Sequence, residues 1–300
     1  MAKRVRARGA GASAGADAPF SFDVSGYPAM PKLRGLFVTG TDTGVGKTLI
    51  AGGIARVLRE SGVSVEVFKP VASGCRRTRE GLVSSDAEFL AACADSRRTL
   101  AEITPVRYAA PLSPNVAAQR EHRPVDLEAI FEQYRRLADA ADVVVVEGVG
   151  GLLCPLSDEF WVIHLALMMQ LPLVVVARAG LGTINHTLLT LQVARSAGLE
   201  VAGVVVNRYR VEPPRDVAPP AEASPPQPIQ AATAQPASQT GGNEDLSMLT
   251  NPQQIALRGR VRVLAIAPDE PANDVERATL GEDTLFALRQ VDWRGLAGGR

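Results

Sequence analysis

The sequence predicts an α/β fold with a mostly parallel central sheet and helices on both of its faces. Two observations favour this fold class. Strand and helix patterns alternate along the chain, and some strands are continuous apolar runs, such as residues 142–146 (DVVVV). Uninterrupted β-branched runs are typical of strands that are buried on both faces. Their alternation with helices indicates a parallel sheet.

The predicted elements follow from local patterns. Residues 35–39 (GLFVT) form a short apolar run, and residues 126–140 carry apolar side chains at helical steps of three and four. The same reasoning places strands at 35–39, 63–68, 142–146, 173–177, 201–206 and 261–267, and helices at 47–60, 85–94, 126–140, 160–169, 183–197 and 274–290. Because ligands bind at the carboxyl ends of parallel strands, we expect functional residues directly after these strands.

Composition defines the domain organisation. The 300 residues suffice for one domain, predicted at 35–300. Residues 1–34 are expected to be a disordered N-terminal extension, with Met30 as an alternative start and a transit peptide as a less favoured reading. Residues 211–245 are rich in Pro and Ala, and we predict a disordered insertion there because so few apolar side chains cannot offset the ordering entropy.

Charge and cysteine content exclude several function classes. Lys plus Arg and Asp plus Glu both number 32, so neither nucleic acid nor membrane is an expected partner. No apolar run reaches the roughly 18 residues of a membrane helix. Three cysteines are too few for a disulfide framework or a zinc cluster. We therefore expect a soluble, cytoplasmic protein.

A phosphate-binding loop follows the first strand at residues 40–48 (GTDTGVGKT). Gly44 and Gly46 allow backbone N–H groups to approach an anion, and the following helix adds its dipole. Lys47 supplies positive charge for the β- and γ-phosphates, and the Thr48 hydroxyl can bind Mg²⁺. The first glycine lies one residue earlier than in the strict motif, but the strand–loop–helix context is intact. The loop predicts binding of a nucleoside triphosphate, in a P-loop NTPase type of fold.

Further charged residues follow other strands. Glu147 comes directly after the valine run, where phosphate-loop proteins place an acidic metal partner. Lys69 and Ser73 lie in residues 69–74 (KPVASG), after the second strand, and a lysine there favours a bound anion. Asp86 is either a metal ligand or a plain helix N-cap.

Taken together, these motifs resemble those of dethiobiotin synthetases. The resemblance rests on the loop at 40–48, KPVASG at 69–74, Ser85-Asp86, EGVGG at 147–151, PLSD at 155–158, GTINH at 182–186 and GVVVN at 203–207, and it covers roughly residues 36–207. It implies an enzyme of biotin synthesis, an ATP-dependent cyclo-ligase. Such an enzyme converts 7,8-diaminononanoate, CO₂ or bicarbonate, and ATP into dethiobiotin, ADP and phosphate through a carbamate and a carbamic–phosphoric anhydride.

The resemblance also implies site residues, Mg²⁺ and a homodimer whose substrate site is shared between subunits. Lys47 and Lys69 are the expected catalytic residues, and Thr48, Asp86 and Glu147 the expected metal ligands. The expected nucleotide contacts are Thr43, Gly44, Val45, Gly46, Lys47, Thr48, Leu49, Asp86, Glu147, Gly148, Val149, Gly150, Asn207, Arg208, Pro268, Asp269 and Glu270. The expected substrate contacts are Ser73, Gly150, Gly151, Leu181, Gly182, Thr183 and Asn185. His122, His164 and His186 are interpreted as structural.

Three alternatives stay open. The first is a ParA/MinD-like ATPase switch, although Asp42 stands where those proteins carry a second lysine. The second is an amide-forming ligase of the cobyrinic-acid type, which needs a further glutaminase domain. The third is a nucleotide-binding scaffold without activity. The sequence also departs from the family pattern at Gly44, where many members carry a polar or acidic residue, and in the 211–245 insertion.

Overall fold

The computed structural model describes residues 22–138, 140–210 and 247–298, and its centre is a six-stranded parallel sheet. The strands in chain order are β1 (Gly35–Gly40), β2 (Val65–Phe68), β3 (Val71–Ala72), β4 (Arg76–Thr78), β5 (Gly81–Val83), β6 (Val106–Arg107), β7 (Val143–Glu147), β8 (Leu173–Arg178), β9 (Val201–Tyr209) and β10 (Val263–Pro268). The main sheet has the order β10-β9-β8-β1-β7-β2, and every pairing in it is parallel. The predicted fold class is confirmed.

Helices connect the strands. They are α1 (Lys47–Glu60), α2 (Ser85–Ala94), α3 (Leu100–Ile103), α4 (Pro114–Arg120), α5 (Leu127–Arg135), α6 (Val162–Met169), α7 (Thr183–Ser196), α8 (Ser247–Gly259), α9 (Glu282–Arg289) and α10 (Trp293–Ala297). Within the described ranges, no helix is both long enough and apolar enough to cross a membrane.

The two faces of the sheet carry separate apolar clusters. Val144 and Val146 of β7 pack into one cluster with α5 and α6, whereas Val143 and Val145 pack into another with α1 and α2. Successive side chains of a strand point to opposite faces. The four valines are therefore buried because helices cover both faces, as the unbroken run indicates.

The predicted helix at 274–290 is wrong in its first half, since α9 begins only at Glu282. The Asp274 carboxylate accepts hydrogen bonds from the backbone N–H groups of Glu276 and Arg277, and Asp274 pairs with Thr279 in an antiparallel bridge. An Asp side chain that binds its own following backbone competes with helix formation. This segment is therefore a turn that leads into α9.

Several short elements were not predicted. β4 and β5 form an exposed antiparallel hairpin, and β3 pairs with β6. Strands of two or three residues carry no measurable periodicity in the sequence. α8 is the first described element after residue 210, and it packs on α7.

The chain before β1 differs in part from the expected disordered extension. Residues 1–21 lie outside the described residues, as does the predicted insertion at 211–245. Residues 22–33, which we call the N-terminal strap, lie against the core. The apolar side chains of this strap that pack on the core are Phe22, Val24, Tyr27, Met30 and Leu33. Apolar burial explains why these residues are ordered in a segment that shows no secondary-structure pattern.

Candidate functional site

The carboxyl ends of β1, β7 and β2 meet at one edge of the sheet, because these strands are neighbours and parallel. The phosphate-binding loop follows β1, Glu147 ends β7, and Lys69 follows β2. Three segments that are far apart in sequence therefore deliver charged groups to a single place. This is the edge that the sequence indicated.

The phosphate-binding loop turns through two glycines in the left-handed region. Gly44 has φ of 74° and Gly46 has φ of 92°, values that L side chains rarely adopt. A Cβ on Gly46 would lie 2.0 Å from the amide nitrogen of Asn207, so the position also lacks space for a side chain. The loop ends where α1 begins, which leaves the first N–H groups of that helix available to an anion.

Lys47, the first residue of α1, is buried, and its Nζ donates to the backbone carbonyl of Asp42 at 3.1 Å. Burial lowers the pKa of Lys47, while Glu147 acts in the opposite direction. The Lys47 ammonium thus lies against the phosphate-binding loop, where it is expected to contact the phosphates.

Glu147 is the centre of an ion cluster. Its Oε1 accepts hydrogen bonds from the Thr48 hydroxyl at 2.8 Å and from Lys69 Nζ at 2.7 Å. Lys69 Nζ also lies 2.8 Å from Oδ2 of Asp86. The side chains of Lys69 and Glu147 are 4% and 1% exposed, so water screens this pair very little.

Asp86 is free to join the cluster because another residue caps its helix. The Ser84 hydroxyl accepts a hydrogen bond from the Ala87 N–H at the start of α2. Of the two alternatives that the sequence left open for Asp86, the N-cap role thus belongs to Ser84. The Asp86 carboxylate points to Lys69 instead.

Burial and charge pairing set the protonation of this cluster. Burial by itself lowers the pKa of Lys69, but Glu147 and Asp86 outweigh it and raise that pKa above its ordinary value. Burial raises the pKa of Glu147, which Lys69 opposes. For Asp86, burial is outweighed by Lys69 and by the Thr48 hydroxyl, and its pKa is lowered. Lys69 therefore keeps its ammonium charge at neutral pH.

The oxygen groups of this cluster fit Mg²⁺. Thr48, Asp86 and Glu147 contribute a hydroxyl and two carboxylates, the hard donors that Mg²⁺ prefers. Oε2 of Glu147 is buried and has no hydrogen-bond partner, so one oxygen is available for a cation. Among the described residues, no three His, Cys, Asp or Glu side chains form a complete protein cage. Such an incomplete donor set suits Mg²⁺, which usually keeps water and phosphate oxygens as its other ligands.

A cavity of about 310 Å³ adjoins the phosphate-binding loop. Gly150 and Gly151 line it together with residues 40–43 of the loop and three residues of α7. Gly150 has φ of 61°, and a Cβ at Gly151 would lie 3.2 Å from the carbonyl oxygen of Gly40. The glycines thus allow the loop after β7, residues 148–158, to approach the phosphate-binding loop closely.

A second cavity, of about 450 Å³, lies on the other side of the phosphate-binding loop. Its lining includes the predicted nucleotide contacts Gly46, Leu49, Asn207, Arg208, Pro268, Asp269 and Glu270. The Asn207 amide nitrogen donates to the Val45 carbonyl at 2.8 Å, whereas its Oδ1 is buried without a partner. One half of this amide therefore holds the loop, and the other half can accept a hydrogen bond from a ligand.

The remaining predicted substrate residues lie elsewhere. Ser73 is half-buried in the turn after β3. Leu181, Gly182, Thr183 and Asn185 lie where α7 begins, and neither cavity includes them. Their substrate role stays a prediction.

Sequence reasoning missed some lining residues. Cys154 lines the smaller cavity, and burial raises the pKa of its thiol. Arg210 lines the larger cavity and pairs with Asp269 at 2.8 Å. Nearness in sequence to a predicted site residue could have indicated both. Cys154 follows Gly151 by three residues, and Arg210 follows Asn207 by three.

Sequence comparisons relate the chain to known proteins. The model of a protein family described as an AAA domain matches residues 34–277. The ATP-dependent dethiobiotin synthetase BioD of Anaeromyxobacter dehalogenans strain 2CP-C is 42% identical over 257 residues, which are 86% of this chain and 99% of the relative. The BioD of Bacillus subtilis strain 168 is 40% identical over 184 residues, 61% of this chain and 78% of the relative.

The chain is also similar to solved structures, at low sequence identity. A chain of the MinC:MinD cell division complex of Aquifex aeolicus aligns with a TM-score of 0.49 at 12% sequence identity. The alignment covers 86% of this chain and 93% of that chain. The curated relatives are far more similar in sequence, and the two from Anaeromyxobacter strains K and 2CP-C are covered to 92% and 99% of their length. The chain belongs to the dethiobiotin synthetase family of ATP-dependent cyclo-ligases, enzymes of biotin biosynthesis.

Proposed function

We propose that this chain closes the cyclic urea of dethiobiotin from 7,8-diaminononanoate, CO₂ and MgATP, with release of ADP and phosphate. One observation carries the proposal: Lys69, Thr48 and Asp86 converge with the buried carboxylate of Glu147 beside the phosphate-binding loop. The curated relatives are ATP-dependent dethiobiotin synthetases, which supports ATP as the nucleotide.

The charge balance of the cluster suits a polyanionic substrate. The ammonium groups of Lys47 and Lys69 offset the carboxylates of Asp86 and Glu147, so a bound divalent cation would leave the site positive. When bound, Mg²⁺ would screen the phosphates and polarise the bond to the leaving ADP. Lys47 and Lys69 would stabilise the charge that spreads over the transferring phosphoryl group.

The proposed reaction has two displacements after one amine has taken up CO₂ as a carbamate. A carbamate oxygen attacks the γ-phosphorus and displaces ADP, which gives the carbamic–phosphoric anhydride. The second amine then attacks the carbonyl carbon, loses a proton, and expels inorganic phosphate as the ring closes. Both steps join an anion or a neutral amine to an anionic centre. Positioned positive charge is therefore the main contribution that these residues can make.

The larger cavity supports adenine as the nucleobase of the bound nucleotide. The buried Oδ1 of Asn207 is an acceptor, which matches the exocyclic amine of adenine and does not match the carbonyl that guanine carries there. We place the adenine in this cavity and the triphosphate over residues 40–48.

We further propose a homodimer. Leu153, Leu181 and Leu189 are 38%, 77% and 58% exposed, and Leu153 and Leu189 line the smaller cavity. The expected substrate residues at the start of α7 lie outside both cavities, and the free N–H groups of that helix N-terminus suit a carboxylate. In the proposed dimer, the partner copy supplies this helix end to the substrate. The three free cysteines support a reducing compartment, which we take to be the cytoplasm.

The test is incubation with 7,8-diaminononanoate, bicarbonate and MgATP, followed by mass spectrometry for the cyclic urea. Product should require all three, and Mg²⁺ removal by chelation should abolish it. Lys69→Met should lower kcat by at least about a hundredfold, the usual effect of removing one stabilising donor. Lys32→Met, which removes an exposed lysine, is the matched control. ATP hydrolysis that needs DNA or lipid vesicles instead of the diamine would favour a switch protein and overturn the proposal.

A further inference from the structure

The N-terminal strap precedes the region that the family model matches, yet it is folded onto the core. Its turn is stabilised locally. The Asp23 carboxylate accepts hydrogen bonds from the N–H and the hydroxyl of Ser25, and the Tyr27 N–H donates to the Val24 carbonyl at 3.1 Å. This turn presents the ring of Tyr27 to the core.

Tyr27 joins an aromatic cluster built from three separate segments. Its ring meets Phe160 edge-on, with centroids 4.8 Å apart, and lies 6.4 Å from Phe131 of α5. Phe131 and Phe160 are themselves 6.2 Å apart. Phe22 adds an edge-on contact to His164 of α6. Edge-to-face pairs at these distances are favourable beyond the burial of their area.

Phe160 closes the loop that follows β7. Its carbonyl accepts hydrogen bonds from the N–H groups of Leu156 and Ser157, and its own N–H donates to the Ser157 hydroxyl. Pro155 and Trp161 pair in an antiparallel bridge. The segment 152–163 is therefore a hairpin that Phe160 holds together. Gly150 and Gly151 of the smaller cavity directly precede this hairpin.

We propose that the N-terminal strap orders the hairpin 152–163 of this enzyme, with Tyr27 as a positioning residue that acts through Phe160. The proposal rests on the proposed function. It takes the smaller cavity, which the predicted substrate contacts Gly150 and Gly151 line, as the place of the diamine. Tyr27 itself lines neither cavity. Because Tyr27 already holds the hairpin 152–163 in place, less conformational entropy is lost from this segment when the substrate binds.

The first measurement is hydrogen exchange followed by mass spectrometry, which does not depend on activity. In Tyr27→Ala, amides of residues 152–163 should exchange about two- to twelvefold faster, the factor that corresponds to one aromatic pair. Peptides covering residues 40–48 should not change. Tyr27→Phe keeps the ring and should restore protection, whereas Phe286→Ala, at an exposed aromatic of α9, should have no effect. Should Tyr27→Ala fail to fold, Phe22→Ala gives a milder test, because Phe22 contacts His164, which accepts a hydrogen bond from the Trp161 N–H of this hairpin.

The second measurement is steady-state kinetics. Tyr27→Ala should raise KM for the diamine by about the same two- to twelvefold, with KM for MgATP and kcat within twofold of wild type. Unchanged exchange in residues 152–163 overturns the proposal. So does a loss of thermal stability with an unchanged KM for the diamine, which would show a merely structural role. Failure of the proposed function is separate, because the unmodified chain would then form no cyclic urea.

Discussion

Replacement of Lys69 by Met should destabilise the fold in a pH-dependent way. Met has a similar length and no charge, so the variant keeps the packing but leaves Glu147, which is 1% exposed, without its ammonium partner. Loss of one partner of a buried ion pair typically costs about 3–5 kcal/mol, because the remaining charge stays desolvated. The Asp86 carboxylate is 35% exposed and can be solvated instead.

Protonation of Glu147 sets an upper limit to the destabilisation of Lys69→Met, because the carboxyl can become neutral instead of staying charged and buried. From an ordinary pKa of 4.5, neutralising the carboxyl at pH 7.5 costs about 4 kcal/mol, and at pH 5.5 only about 1.4 kcal/mol. A carboxyl whose pKa is raised in the folded state takes up a proton on folding, so its penalty grows as the pH rises above the unfolded value. The free energy of unfolding of Lys69→Met should therefore approach that of the wild type on acidification, by up to about 2.7 kcal/mol between these two pH values.

Urea unfolding at pH 5.5, 6.5 and 7.5 measures this dependence. The double variant Lys69→Met, Glu147→Gln removes the buried charge, so it should regain most of the lost stability and show no added pH dependence. Lys32→Met is the control for loss of an exposed lysine. The reasoning is refuted if the single variant is equally unstable at all three pH values, or if the double variant is no more stable than the single one.

Other predictions concern the loop glycines and the buried thiols. Gly46→Ala should abolish ATP binding in calorimetry, because the new Cβ would meet the amide of Asn207 at 2.0 Å. Gly62→Ala has a similar φ of 82° with nothing within 4 Å, so it should cost only about 1 kcal/mol of stability and leave ATP binding intact. Burial raises the pKa of Cys93 to about 11, so its thiol should resist Ellman's reagent at pH 8 until urea unfolds the chain. Rapid labelling of native Cys93, located by peptide mapping, would contradict its burial.

The fold and the placement of the main site groups follow from local sequence patterns. Apolar runs identify buried parallel strands, and such strands deliver the residues after them to one edge. This is why Lys47, Lys69 and Glu147 could be placed together before any contact was known. The same argument does not predict which atoms form hydrogen bonds or ion pairs.

What the sequence could not predict depends on contacts between distant residues. The hydrogen bond from the Asn207 amide to the Val45 carbonyl joins positions 162 residues apart, and no local sequence pattern predicts it. The helix expected from residue 274 starts late because the Asp274 side chain binds the following backbone. The strap is ordered by aromatic contacts to α5, to Phe160 and to His164 of α6 rather than by any periodicity of its own.

The sequence separations within the site have a consequence for folding. Thr48 and Glu147 are 99 residues apart, Lys69 and Glu147 are 78 apart, and Asn207 reaches the phosphate-binding loop across 162. Contacts of such long range form late, since the loops between them must close first. A partly folded chain that lacks any one of these strands cannot assemble the nucleotide pocket. Tight binding of ATP would thus report completion of the entire sheet, and the nucleotide would act as a ligand that selects fully folded molecules.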